Sequence, residues 1–174
     1  VTPKGDIVIR VHPAWAPLGA ARVKELTEIG FYNDCAFFRV VNGFVAQFGM
    51  NGDPKIHAKW ADANIDDDPV VQSNLAGYVT FASQMRPGTR STQLFINLAD
   101  NSRSLDSKGF APIGKVVEGL DVVKKINGRY GEGPDQDQIK HVGNAYLREN
   151  FPDMDFIKEA KIENDNTTER KSIV

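Results

Sequence analysis

The chain reads as a mixed, mainly antiparallel β protein with a few helices. Three observations lead there. Phe37–Val41 and Val45–Phe48 are apolar runs flanking Asn42-Gly43, the strongest short-range hairpin signal. Short β-branched or aromatic segments recur between Gly-, Asn- and Pro-rich punctuation. Helical spacing is confined to a few short stretches, so no helical bundle is written here.

In chain order, Ile7–Val11 reads as a strand. Pro17 suits a first helical turn, and Ala20, Val23, Leu26 and Ile29 follow at three-residue steps to a stop at Gly30. The hairpin comes next. Residues 49–76, rich in Gly, Asp, Asn and Pro, read as one long irregular segment, the kind that often carries function. Tyr78–Ala82, Gln93–Asn97 and Ala111–Val117 read as further strands. Leu120–Ile126 reads as a short helix. Gln138–Asn150 reads as another, with Ile139, Val142 and Leu147 facing inward. Ala160–Ile162 is placed to complete the sheet. The division expected is one domain over 1–163 and a polar, mobile tail over 164–174. Asn166-Thr167-Thr168 in that tail fits a glycosylation acceptor, a weak match.

Bulk properties narrow the function. A length of 174 residues suits one domain with a substantial core, and 41% hydrophobic with 25% charged residues is ordinary for a soluble protein. The net charge of −2 argues against a nucleic-acid or membrane-surface partner. Cys35 is the only cysteine, which rules out an intrachain disulfide. No apolar run approaches the roughly 20 residues of a membrane span. No secretory signal is visible, and a start at Val1 suggests a processed or trimmed terminus. The expected address is therefore soluble: cytoplasmic, or periplasmic or secreted after processing. Nothing in the sequence calls for an oligomer, so a monomer is expected.

Register decides what the hairpin can do. A two-residue turn at Asn42-Gly43 sets Arg39 opposite Ala46. A three-residue loop of Asn42, Gly43 and Phe44 pairs Val41 with Val45 and sets Arg39 opposite Gln47. We favour the second, because it gathers Arg39, Val41, Val45 and Gln47 on one face, with Phe44 at its lip. A charge in an apolar hairpin is usually kept because it faces a cleft or a partner.

A second segment joins the hairpin: Phe81-Ala82-Ser83, a turn-rich loop, then Thr92-Gln93-Leu94-Phe95-Ile96. Together they resemble the cyclophilin family of peptidyl-prolyl cis-trans isomerases. That family's pattern Phe-x-Arg-Val-x-x-Gly-Phe-x-x-Gln is matched from Phe37 to Gln47. Gly5–Ile9, Gly30–Tyr32, Leu105-Asp106 and Ile113–Val123 match further motifs in the right order, so the resemblance runs from about Gly5 to Glu163. It implies a closed eight-stranded antiparallel β-barrel capped by helices, with the substrate in a groove on the outside.

The chemistry implied needs no cofactor and no metal. An X-Pro bond crosses a barrier near 20 kcal/mol, and twisting it makes the prolyl nitrogen more basic. A donor near that nitrogen favours the transition state over the ground state. Arg39 is the expected catalytic donor, oriented by Gln47. Phe44, Val45, Phe95 and Leu105 are expected to form the proline pocket, with Ala82, Ser83 and Gln93 holding the preceding residues. Val45 stands where methionine is common in the family. Ser104 replaces a tryptophan that many members use to bind cyclosporin, so weak cyclosporin binding is expected. Phe110 stands where histidine or another aromatic is common. The expected partners are proline-containing peptides and unfolded proteins. The alternative is a proline-peptide binding module with little catalysis, which Arg39 argues against.

Other constellations carry less. Asp66-Asp67-Asp68 lacks a calcium-loop pattern and reads as a solvated loop. His12, His57 and His141 have no metal-ligand spacing. Gly49-Met50-Asn51-Gly52 lacks the lysine of a phosphate loop. Cys35 reads as a plain thiol, and Trp15 and Trp60 as packing residues.

Overall fold

The structure, a computed structural model, describes residues 1–165 and 170–173. Six strands fall within residues 8–118: β1 (Val8–Val11), β2 (Arg39–Val41), β3 (Val45–Phe48), β4 (Tyr78–Phe81), β5 (Leu94–Asn97) and β6 (Pro112–Glu118). A C-terminal pair, β7 (Ile162–Asp165) and β8 (Arg170–Ile173), joins them. The order is β2-β3-β5-β4-β6-β1-β8-β7, and every pairing is antiparallel.

The core lies on one face of this sheet. Alternate residues such as Ala46, Phe48, Val79, Phe81, Leu94, Ile96 and Ile113 point into it. Helix α1 (Pro17–Glu28) starts on Pro17 and adds Val23 and Leu26 to the same core. Ile29, the last residue of the three-residue spacing, is 57% exposed at the helix end.

A closed barrel was expected, and the sheet is not closed. Its edges are β2 and β7, and no ladder joins them among the described residues. A single bridge, Ala36 to Phe156, and the bond from Phe37 N–H to Asp155 C=O link the flanking segments instead. Strands β7 and β8 take in part of the polar segment set apart beyond residue 163. Asn166, Thr167 and Thr168 lie outside the described residues.

Residues 49–76 are not irregular throughout. Asp53 caps helix α2 (Pro54–Ala61), its carboxylate accepting from the Lys55 N–H, with Pro54 in the first turn. One-turn helix α3 spans Ser102–Leu105, and α4 spans Leu120–Lys125. The single helix expected over 138–150 is two: α5 (Gln136–Val142) and α6 (Asn144–Asn150). Gly143 divides them at φ 74° and ψ −147°, a conformation that suits glycine and stops a helix. The break turns Val142 outward, 45% exposed, while Ile139 and Leu147 stay buried in a second cluster with Ala36, Phe38 and Met50.

The Asp66–Asp68 run also needs correction. Asp68 is buried: its carboxylate accepts from the Leu18 and Gly19 N–H groups at the start of α1 and from Arg90 Nη2 at 3.0 Å. It therefore satisfies two of the orphan donors of that helix end.

Candidate active site

The three-residue register is the one observed. Arg39 faces Gln47, Val40 faces Ala46 and Val41 faces Val45. The turn closes through Phe44 N–H to Val41 C=O at 2.9 Å, with Gly43 at φ 73°. A left-handed residue at that place suits a three-residue hairpin loop, and glycine takes it without strain. Arg39 Nη1 donates to Gln47 Oε1 at 3.1 Å, and Gln47 Nε2 donates to Gln93 Oε1 at 2.9 Å. Strand pairing brings Gln93 there, because β3 runs beside β5.

Beside this polar relay lies a small apolar cluster. Val45, Phe95, Leu105 and Phe110 are buried together, with Phe44 and Ala82 packed against them. The Phe95 and Phe110 rings meet edge to face at 5.9 Å. The Arg39 guanidinium carbon stands 5.9 Å from the centre of the Phe44 ring.

A buried polar network holds this cluster from below. Asn101 Nδ2 donates to the Phe44 carbonyl and to Asn97 Oδ1, each at 2.8 Å. Asn97 Nδ2 donates to Asn74 Oδ1, which also accepts from the Thr80 hydroxyl. Asn74 Nδ2 donates to the Phe110 carbonyl and to Asp106 Oδ1. Leu105 N–H donates to the Asn101 carbonyl. Burial would raise the Asp106 pKa, but the bonds from the Asn74 side chain and backbone outweigh it and hold the carboxyl below its usual range.

Arg39, Phe44, Val45, Gln47, Ala82, Ser83, Gln93, Phe95, Leu105 and Phe110 all line one open groove of ≈ 810 Å³. Ser104 does not. It is exposed on α3, its hydroxyl donating to the Asn101 carbonyl at 3.2 Å. Sequence reasoning missed the far wall, where His57, Ala61 and Asp62 from α2 and its end face Gln136 and Lys140 from α5. Desolvation, then the Lys140 charge, lowers the His57 pKa against the opposing pull of Asp62. It also missed Glu132, whose Oε1 accepts from Arg39 Nε at 2.8 Å and lies 2.6 Å from Nη2. Helix periodicity and the Asp53-Pro54 cap signal could have found α2. Nothing local points to Glu132.

Residues 1–144 match the sequence profile of a family described as cyclophilin type peptidyl-prolyl cis-trans isomerase/CLD. The chain belongs to the cyclophilin family. Among related proteins, peptidyl-prolyl cis-trans isomerase B of Escherichia coli is 34% identical over 134 residues, spanning 73% of this chain and 81% of that one. A probable peptidyl-prolyl cis-trans isomerase of Brucella abortus is 33% identical over 132 residues, 70% of this chain and 66% of that one. A Cryptosporidium parvum cyclophilin, crystallised in the presence of the dipeptide Ala-Pro, shares the fold at TM-score 0.68. It is 20% identical, with 95% of this chain and 97% of that one aligned. Hirschia baltica AquaCyp293 shares it at TM-score 0.60 and 23% identity, over 77% of this chain and 67% of that one. These two likenesses speak for the cyclophilin fold: mainly β, with an antiparallel sheet and helices.

As a cyclophilin groove, the arrangement sets a permanent cation beside an apolar pocket, with backbone and amide groups along one wall. Among the described residues, no three His, Cys, Asp or Glu side chains stand close enough to share a metal ion.

Proposed function

We propose that this cyclophilin interconverts cis and trans X-Pro bonds in peptides and unfolded proteins, with Arg39 as the donor to the twisting prolyl nitrogen. The observation that carries this is the Arg39–Gln47–Gln93 relay running along the rim of the Phe44–Val45–Phe95–Leu105–Phe110 pocket. The pocket would hold the proline ring while the preceding carbonyl rotates, and would strip water that stabilises the planar amide. Ala82, Ser83 and Gln93 would hold the residues before proline. Acceleration by 10⁵ would need about 7 kcal/mol of differential stabilisation. The Ala-Pro dipeptide named with the Cryptosporidium relative supports a proline ligand of this class.

Weak cyclosporin binding is part of the same reading, because Ser104 stands outside the groove lining and offers no indole. So is a monomer, and a sheet that wraps far enough for the Ala36–Phe156 bridge to serve in place of a closing ladder. The test of the activity is magnetisation-exchange NMR or a protease-coupled assay on a proline tetrapeptide. Exchange no faster than the uncatalysed tens of seconds would refute it.

A further inference from the structure

Arg39 lies on the edge strand β2, and its side chain is 28% exposed. A long side chain at such a place is normally free to sample several rotamers, which is costly for a donor that must meet one nitrogen. Here the guanidinium is gripped on two edges. Gln47 takes Nη1 on one side, and Glu132 takes Nε and Nη2 on the other. Of the five N–H bonds of a guanidinium, one on Nε and one on Nη1 are hydrogen-bonded, and Nη2 is ion-paired with the same Glu132 oxygen; the rest are left for a substrate.

Glu132 is brought there by its loop. The Val40 N–H donates to the Gly131 carbonyl, so the loop docks on the free side of β2 one residue before Glu132. The loop is fastened at both ends. Tyr130 stacks edge-on against Phe151 at 5.0 Å, and its hydroxyl accepts from the Asp153 N–H. The Asp135 N–H donates to the Tyr146 hydroxyl, and the Asp135 carboxylate caps α5. The carboxylate of Glu132 is thus presented to Arg39 by a braced loop.

We infer that Glu132 is a positioning residue: it holds the Arg39 guanidinium in the plane that presents its remaining N–H bonds to the substrate's prolyl bond. This rests on the reading of Arg39 as the catalytic donor. The effect belongs in kcat, because orientation matters most when the nitrogen is pyramidal.

The test compares Glu132→Gln, Glu132→Asp and Arg39→Ala with the unmodified chain. Glu132 is 65% exposed, so its variants should unfold at the unmodified temperature. The expected result is a loss of about tenfold in kcat for Glu132→Gln, with KM little changed. Glu132→Asp should recover part of it. By proton NMR, the Arg39 Nε–H resonance should exchange slowly with water in the unmodified chain and rapidly in Glu132→Gln. Full activity in Glu132→Gln with Arg39→Ala dead would overturn the positioning role alone. Higher activity in Glu132→Gln would overturn it too, since the carboxylate would then be a competitor of the substrate. Full activity in Arg39→Ala would overturn the catalytic reading itself.

Discussion

In the proposed mechanism the chemistry turns on Arg39. Arg39→Ala should cut kcat/KM by orders of magnitude with the fold intact, as read by exchange NMR beside circular dichroism. Arg39→Lys should lose most of it too. An ammonium is a point charge and cannot bond Gln47 on one edge and Glu132 on the other. A wild-type rate in Arg39→Ala would mean another donor acts. Ser104 carries the second prediction at this scale. Losing a buried aromatic anchor costs about 2 kcal/mol or more, or about 30-fold in dissociation constant. Cyclosporin should therefore bind this chain much more weakly than members with tryptophan there. Ser104→Trp should strengthen the drug with little change in peptide turnover. Nanomolar affinity of the unmodified chain by calorimetry would contradict this.

The elements that hold the pocket are joined by the asparagine network as well as by the β3–β5 and β4–β5 ladders. Asn97 on β5 ties the Tyr78 carbonyl, Asn74 and Asn101 together, and Asn101 in turn holds the Phe44 carbonyl and the Leu105 N–H. Asn97 is fully buried, so removing its amide strands partners that water cannot reach. Asn97→Ala should lower the unfolding free energy by about 1–3 kcal/mol, read from the denaturant midpoint. It should also raise KM, because Phe44 and Leu105 lose their anchor. Unchanged KM in a folded variant would show that the pocket is held by packing alone.

Across the whole molecule, acid sensitivity is written into its histidines. Burial lowers the pKa of both His12 and His57, with Arg10 and Lys115 adding to the first and Lys140 to the second. A depressed folded-state pKa means the unfolded chain binds more protons just below the ordinary imidazole value near 6.5. Stability contributed by these groups is full above that value and is lost as pH falls toward the folded pKa. His57 is 5% exposed between α2 and α5, so His57→Leu should be near neutral in stability at pH 7 and should flatten the decline below about pH 6.5. A pH profile of the melting temperature that is identical in the two proteins would rule His57 out as a contributor.

Much of this was written locally. Alternation of apolar residues about Asn42-Gly43, with Arg39 and Gln47 as the exceptions, was enough to favour one register over another, since a one-residue slip would have separated the pair. The motif matches identified the groove residues that strand pairing then brought together, Phe95 on β5 and Gln93 just before it beside Gln47 on β3. Helix α2 was legible in Asp53-Pro54 but hidden by the polar composition around it. The split of α5 from α6 rests on one glycine whose φ depends on the Gly143 N–H meeting Ile139 and on the Asn144 N–H reaching Gly52. Other features were decided by tertiary structure alone. Glu132 meets Arg39 across 93 positions, Asn74 meets Phe110 across 36, and Asp68 meets Gly19 across 49. The chain by itself determined period, turn and register, because those follow from neighbours within a few residues. The guanidinium clamp, the pocket's polar floor and the unclosed edge between β2 and β7 follow from where distant loops land. That is fixed by burying the whole core at once, and no local pattern records it.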